Sequence, residues 1–368
     1  MIVTPAHLVQ AFFRSNMDIK DFTDLQESWE ALKTSSLPVC IYGTGNACER
    51  ILEQFEQRGI FCSGIFASDG FARGQIFHGY KVETLSQIEQ RLGDIVVCCA
   101  FGSSLPDVMR QIRDIAAKHK LVFPDLPVAG DELFSKRGLL EMFTDVQNMS
   151  KLFADDLSVQ TFINVLKFKM TGDISFLDNV FSSDKTADII ALGDDEIYAD
   201  LGAYTGDTAE EFIQSVGGKY KRIYTFEPDK RNFRKCVRRL MKYDNITMIN
   251  ACAWCTCGQQ RFSQSSGRQS KVGDNGTLIA AKTLDSAVGS DGCTLIKYDV
   301  EGAEREALAG SEKTITRFQP QLAVSVYHRP YDMLELTKYV HKFLPNHRLY
   351  LRQIPYYPAW DTILYAIK

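Results

Sequence analysis

The segment DLGAYTGDT, residues 200 to 208, closes an apolar run that begins at Glu196 and reads as a glycine turn at the carboxyl end of a strand. Gly202 and Gly206 stand four apart, which is not the tight triple-glycine spacing of a dinucleotide site. Their bare backbone lets a ligand lie against the turn. No phosphate-binding lysine follows, and Asp200 and Asp207 flank the turn, so a pyrophosphate would be repelled. The end of a ligand seated here is expected to be neutral or cationic.

Working outward, apolar runs recur as RIYTFEPD, ITMINACAW, TLIKYDVEG and LAVSVYH, the repeating pattern of a parallel sheet. Glu227 closes the first of them, where a carboxylate can accept hydrogen bonds from both hydroxyls of a ribose. A ligand with a charged amino-acid tail, a ribose and no phosphate fits these features, which points to S-adenosylmethionine. The apolar NACAW would then flank adenine, with Cys252 and Ala253 nearest.

In an open parallel sheet the ligand crevice lies outside the carboxyl ends of the strands, so Asp299 in IKYDVEGAE is expected to point at the reacting centre. His328, in SVYHRP, ends the next strand at the same edge. An acid and an imidazole so placed can take a proton from an attacking hydroxyl as a methyl group moves to it. Asp299, Glu301 and His328 also suit a divalent metal, although no spacing requires one. Glu301 and Glu304 equally suit the start of the following helix, where carboxylates complement its dipole.

The first third of the chain repeats the alternation. LPVCIYG, FCSGIFASD, DIVVCCAFG and KLVFPDLP are strand-like, with helical patterns such as NACERILEQFEQRG and LPDVMRQIRDIAAKHK between them. YGTGNAC places Gly43 and Gly45 in the first two positions of a dinucleotide fingerprint, with Cys48 in the third, and Asp69 further on could hold a ribose. Such a partial pattern is equally met by a glycine turn that the fold itself needs. No acid or base pair for hydride transfer follows in this part.

The expected organisation is α/β, with two Rossmann-like parallel-sheet domains. Residues 1–125 form a nucleotide-binding-type domain, 126–190 a helical bridge that covers the substrate mouth, and 191–368 the second sheet domain. HRLYLRQI and DTILYAIK, joined by PYYPAW with no room for a helix, should pair antiparallel at the end of that sheet.

Through DLGAYTGDT, FEPD, KTLDS, IKYDVEGAE and the closing DTILYA, residues 196–368 resemble the FkbM family of S-adenosylmethionine-dependent methyltransferases. The resemblance covers just under half of the chain. It implies a seven-stranded sheet with an antiparallel last strand. It sets Asp200, Gly202 and Gly206 at the cofactor's methionine end, Glu227 at its ribose and Asp299 near the transferred methyl. It also implies O-methylation of a sugar, polysaccharide precursor or natural product. Tyr204 stands where many relatives have asparagine, and it is carried as a cofactor contact. The first domain resembles Rossmann-like domains attached to sugar-modifying enzymes and could hold a sugar nucleotide.

Composition sets bounds on this reading. The chain has 368 residues, of which 45% are hydrophobic and 24% charged, enough for a sizeable core, and the formal net charge is −4. That balance does not favour a surface built for nucleic acid or anionic lipid. No run approaches the roughly 20 apolar residues of a spanning helix, and no signal peptide opens the chain, so a soluble, cytoplasmic protein is expected. Most of the ten cysteines sit in apolar runs, as buried thiols of a reducing compartment would. Arg231, Arg234, Lys235, Arg238 and Lys242 form a basic stripe at helical spacing, either a solvated face or a landing surface for an anionic acceptor or RNA. Phe233, Val237, Leu240 and Met241 would form the opposing apolar face. Two other classes stay open, a nicotinamide oxidoreductase using the Gly43 turn and a non-catalytic binding protein for a sugar nucleotide or a partner. The acceptor and the oligomeric state are not legible.

Overall fold

In the computed structural model, which describes residues 17–183, 186–263, 271–272 and 277–368, the apolar runs become strands. The first sheet comprises β1 (Val39–Tyr42), β2 (Cys62–Phe66), β3 (Ile76–Phe77), β4 (Tyr80–Glu83), β5 (Val96–Cys99) and β6 (Lys120–Val122). All residues of β1 and β5 are buried, as central strands covered on both faces must be. The order is β3-β4-β2-β1-β5-β6, parallel throughout except for the two-residue β3, which pairs antiparallel with β4 at one edge. The helix Asn46–Arg58 ends at Gly59, whose left-handed conformation supplies the expected stop.

Among the described residues, no sheet strand lies between Val122 and Ile197. The intervening chain is helical, and its longest helix, Asp156–Thr171, is capped by Asp155 and halted by left-handed Gly172. The segment expected as a bridge covering the substrate mouth contacts both the edge of the second sheet and the neighbourhood of His328, where Ala129 N donates to His328 O at 2.9 Å. Its longest helix runs beside the edge strand of the second sheet, β16 (Arg348–Gln353). Leu351 N donates to Ser158 Oγ at 2.9 Å, and the flanking segments add Ala154 N to Leu349 O at 2.8 Å and Ser182 N to Gln353 O at 2.9 Å. Arg352 and Asp155 close the contact at 2.6 Å. These bonds occupy backbone groups that an uncovered edge would expose. The last turn of that helix, at Phe168 and Lys169, and Leu126 at the start of the bridge line the crevice between the sheets.

The second sheet adds β7 (Ile197–Leu201), β8 (Arg222–Phe226), β9 (Ile246–Ile249), β14 (Leu295–Tyr298), β15 (Gln321–Ser325) and β17 (Thr362–Ile367) to β16. Its order is β16-β17-β15-β14-β7-β8-β9. β17 alone runs antiparallel to its neighbours β15 and β16, so the expected terminal hairpin and seven-stranded sheet are both present. Between β9 and β14 lies a small third sheet that the sequence patterning does not predict. It consists of β10 (Cys252–Ala253), β11 (Gly258–Ser263), β12 (Lys271–Val272) and β13 (Thr277–Lys282), in the order β10-β13-β11-β12.

One continuous apolar cluster runs from the first sheet through the bridge into the second, with Tyr42, Phe162 and Tyr298 among its members. Eight of the ten cysteines are buried, Cys255 and Cys257 are exposed, and all ten are free. The helix Lys230–Leu240 carries Arg231, Arg234, Lys235 and Arg238 on its exposed side, and Lys242 follows it in an ion pair with Glu210 at 2.8 Å. Its buried stripe is Cys236 together with Leu240 of the expected apolar face, while Phe233 and Val237 are half-buried. Met241, at the helix C-terminus, is 70% exposed. Among the described residues no helix is long and apolar enough to cross a membrane.

Candidate functional site

The carboxyl ends of β7, β8, β14 and β15 meet at one edge of the second sheet. After β7 the chain turns through left-handed Gly202, Tyr204 and Gly206 before the helix Asp207–Ser215 begins. The turn is held by two backbone bonds, from Gly202 N and Ala203 N to Phe226 O, at 3.0 and 2.9 Å. Gly202 is required twice over. Its φ is +91°, and a β-carbon there would lie 1.8 Å from the carbonyl oxygen of Asp299.

Asp200 is fully buried. Its carboxylate accepts from Thr208 Oγ1 at 2.5 Å and faces Lys297 Nζ at 3.4 Å, so it fixes the turn from beneath. Tyr204 stands at the rim, 43% exposed. Glu227 follows β8 directly and accepts from Asp229 N at 2.7 Å. Burial pushes its carboxyl up to about 8, against the stabilising backbone donors of Asp229 and Tyr204.

The β9 run stops short because Asn250 turns its amide to the carbonyls of Glu227 and Pro228, at 2.8 and 3.2 Å. Cys252 and Ala253 lie beyond that break, buried and paired with Ala281 and Lys282 of the small sheet. Asn250, which the sequence reading passed over, is therefore the side chain nearest the Glu227 turn from this strand.

Asp299 follows β14 and sits in a charged cluster. Lys297 Nζ is 3.5 Å from it, Tyr327 Oη 3.4 Å and His328 Nε2 3.7 Å. Burial works against its ionised form, but Lys297 and His328 overcome this and hold the carboxyl below its usual range. Glu301 adopts a left-handed backbone, with φ +56°, that turns its carboxylate to within 3.5 Å of His328 Nε2. Burial raises the Glu301 carboxyl despite that imidazole.

His328 is fully buried, three residues after β15. Its Nδ1 lies 3.0 Å from Glu304 Oε1, which also accepts from Val300 N at 2.8 Å. Burial opposes a charge on the ring, and Glu304 and Glu301 outweigh it, so the histidine is held as an imidazolium. Asp299, Glu304 and His328 present donor atoms within 4.8 Å of one another. A divalent ion fits that spacing; both His328 ring nitrogens and Glu304 Oε2 are buried without a hydrogen bond among the described residues, and the ring is held only at ion-pair distance from its neighbours.

Lys297 and Glu304 are the functional candidates the sequence reading missed or discounted. Lys297 could have been found: it lies two positions before Asp299 in a strand, hence on the same face, and a lysine inside LIKYD is out of place in a buried run. Glu304 was read as a helix-start residue, a role it combines with being 1% exposed against His328.

The other glycine turn, at Gly43 and Gly45, lies in the first domain. A β-carbon on Gly43 would come 2.7 Å from the Phe101 ring, so packing alone requires a glycine there. Cys48 is buried and Asp69 is exposed three residues beyond the end of β2.

Residues 200–351 match the family described as Methyltransferase FkbM domain. The crystal structure of methyltransferase FkbM from Methylobacillus flagellatus KT aligns with 98% of this chain and 96% of its own. The TM-score is 0.69 and the identity 22%, so that fold extends over both sheets. An rRNA methylase from Streptococcus thermophilus covers 48% of this chain and 87% of its own, at TM-score 0.32 and 19% identity. Aeropyrum pernix fibrillarin with bound S-adenosyl-L-methionine covers 48% and 68%, at 0.31 and 16%. No curated protein matches the chain. Over residues 200–351 the chain is thus similar to the FkbM methyltransferase domain family, whose reaction is methyl transfer.

Proposed function

We propose that this chain moves the methyl group of S-adenosylmethionine to a hydroxyl of a small-molecule or glycan acceptor. The observation that carries the reading is the contact between Gly202 and the Asp299 carbonyl, which makes the glycine turn and the carboxylate cluster one site. The residues present fit the cofactor. The turn offers bare backbone, and the one guanidinium among the described residues that reaches it, Arg239, is engaged with Thr205, Asp207 and Glu210. Glu227 offers a carboxyl that suits a ribose, and the cluster beside them is rich in carboxylates. When bound, S-adenosylmethionine supplies a methyl group on a sulfonium, and the acidic surroundings favour that cation over the neutral product.

The chain's own part is positioning and proton removal. In-line attack on a sulfonium needs little covalent help, so fixing the acceptor contributes most. With the cofactor bound, the acceptor oxygen would take the methyl carbon while the sulfonium sulfur would keep the electron pair of the broken bond. Asp299 accepts the hydroxyl proton, since it is the ionised carboxylate at the strand end. Glu301 extends the acceptor side of the same cluster. His328, as an imidazolium, holds Asp299, Glu301 and Glu304 in place and does not serve as the base in that charge state. The division of the chain at residues 125 and 190 belongs to this reading: the second sheet performs the chemistry while the first sheet and bridge shape access to it.

Calorimetric titration with S-adenosylhomocysteine and with NADH tests the reading, repeated on Glu227→Ala. Binding of the homocysteine compound alone, weakened in the variant, is the expected result. NADH binding that survives the substitution would move the function to the Gly43 turn.

A further inference from the structure

We propose that the outward ridge of the helix Lys230–Leu240 is a docking surface for a bilayer that carries anionic phospholipids. The methyl-transfer reading leaves this ridge unused. Lys230, Arg231, Arg234, Lys235 and Arg238 are all exposed, and among the described residues no ion pair or hydrogen bond engages their side chains. The cations that follow behave differently. Arg239 reaches Thr205, Asp207 and Glu210, and Lys242 is paired with Glu210 at 2.8 Å. One flank of the helix is thus neutralised by the helix Asp207–Ser215, while five positive charges stay on its crest.

The spacing makes the crest a line. Lys230, Arg234 and Arg238 recur every four residues, and Arg231 and Lys235 form a second row beside them. At a rise of about 1.5 Å per residue each step is about 6 Å, and the charged ridge runs for about 12 Å. Like charges so close repel one another, so the arrangement is unfavourable alone and is relieved by a layer of negative charge. In a chain of net charge −4 this concentration belongs to one face and not to the composition as a whole.

The surroundings favour a lipid surface over nucleic acid. Cys236 and Leu240 tie the opposite side of the helix into the core, so the crest is convex and meets a flat partner along its length. A nucleic-acid strand winding round it would meet Asp207 and Glu210 on the flank. The crest also presents no ring for bases to stack on, since Phe233, the one aromatic residue of the helix, is half-buried. Met241 lies seven residues after Arg234 and three after Arg238, hence on the same side, and is 70% exposed. An apolar tip among cations suits the boundary between headgroups and acyl chains. The buried stripe of the helix is committed to the core, so attraction between its cations and lipid phosphates carries the binding. The crest starts at Asp229, which caps the helix two residues after Glu227, so docking sets the carboxyl edge of the second sheet beside the lipid surface.

The test is co-sedimentation of the full chain with vesicles of phosphatidylcholine, alone and with about one third phosphatidylglycerol. Binding to the anionic vesicles alone is expected. It should be lost as salt rises from about 0.1 to about 1 M, which shrinks the screening length from about 10 to about 3 Å. Arg234→Gln combined with Arg238→Gln should lower the vesicle affinity roughly ten- to thirtyfold, with Tm and calorimetric binding of S-adenosylhomocysteine unchanged. Lys230→Gln combined with Lys235→Gln supplies an independent pair. Equal sedimentation with both kinds of vesicle, sedimentation with neither, or full affinity in both pairs would overturn the proposal. Tighter binding to an RNA oligonucleotide than to the anionic vesicles, read by fluorescence anisotropy, would also overturn it and give the ridge to nucleic acid. Vesicle binding needs no cofactor, so its outcome is independent of the methyl-transfer reading.

Discussion

Gly202 and Asp299, ninety-seven residues apart in the chain, are in backbone contact: the space where Gly202 would carry a β-carbon is filled by the Asp299 carbonyl, at 1.8 Å. Backbone on both sides leaves no flexible side chain to yield. Gly202→Ala therefore combines an unfavourable left-handed conformation with a main-chain clash, together about 2–5 kcal/mol. Thermal unfolding should show a clearly lowered Tm, and binding of S-adenosylhomocysteine should fall with it. A variant of unchanged stability would mean that the two strand ends are not so close.

Lys297 separates two carboxylates, at 3.4 Å from Asp200 and 3.5 Å from Asp299. Burial disfavours its charge, yet the two acids raise its affinity for a proton overall, so it stays cationic across the working range. Lys297→Met strands Asp200, which has no exposure at all, beside a second acid. The expected cost at neutral pH is about 3 kcal/mol. The pH dependence gives the sign. In the native chain the lowered Asp299 carboxyl contributes stability that is present above its unfolded value and lost as the pH falls through its folded one. Without Lys297 the carboxylates gain protons more readily, so the deficit seen in urea melts at neutral pH should shrink toward acid. A deficit that is constant with pH would assign Lys297 a packing role only.

Most of this architecture was legible because the central strands are short, apolar and punctuated by glycine or acids. The runs ending at Gly43, Asp200, Glu227 and Asp299 each became a strand stopping within a residue or two of the predicted edge. Two kinds of feature were not legible. The small sheet between β9 and β14 is built from polar segments such as GQQRFS, whose pairing depends on neighbours far along the chain and leaves little periodic trace. The roles of His328 and Glu304 depend on total burial beside each other, and burial of a charged residue is set by tertiary packing, not by its flanking sequence. Gly43 illustrates the reverse: its fingerprint-like setting is explained by the Phe101 ring against it.

Under the proposed function, Glu227 would couple cofactor binding to a proton. Burial pushes its carboxyl up to about 8, whereas two ribose hydroxyls donating to it would favour the carboxylate. Binding below that pH must then release a proton. The affinity for S-adenosylhomocysteine should rise with pH by up to about tenfold per unit and level off above the free value. Calorimetry in buffers of different ionisation enthalpy reads the released proton directly. Glu227→Gln should abolish the dependence and weaken binding; a wild-type affinity independent of pH would show that the cofactor does not engage this carboxyl.

Asp299 is the residue on which the proposed chemistry stands. Lys297 and His328 hold it ionised against the effect of burial, so it is already a proton acceptor when the substrate arrives. The rate of methyl transfer to any acceptor the native enzyme uses should accordingly show no acid limb above about pH 5 from this group. Asp299→Asn keeps the shape and removes the base. Turnover, followed as S-adenosylhomocysteine formation, should fall by about 10²–10⁴ while the affinity for added S-adenosylhomocysteine changes little. The split matters because a merely structural Asp299 would damage both, through the loss of its charge beside Lys297, which also holds Asp200 under the glycine turn. Retained turnover in Asp299→Asn would remove the base assignment and leave the carboxylate as a counter-charge to Lys297.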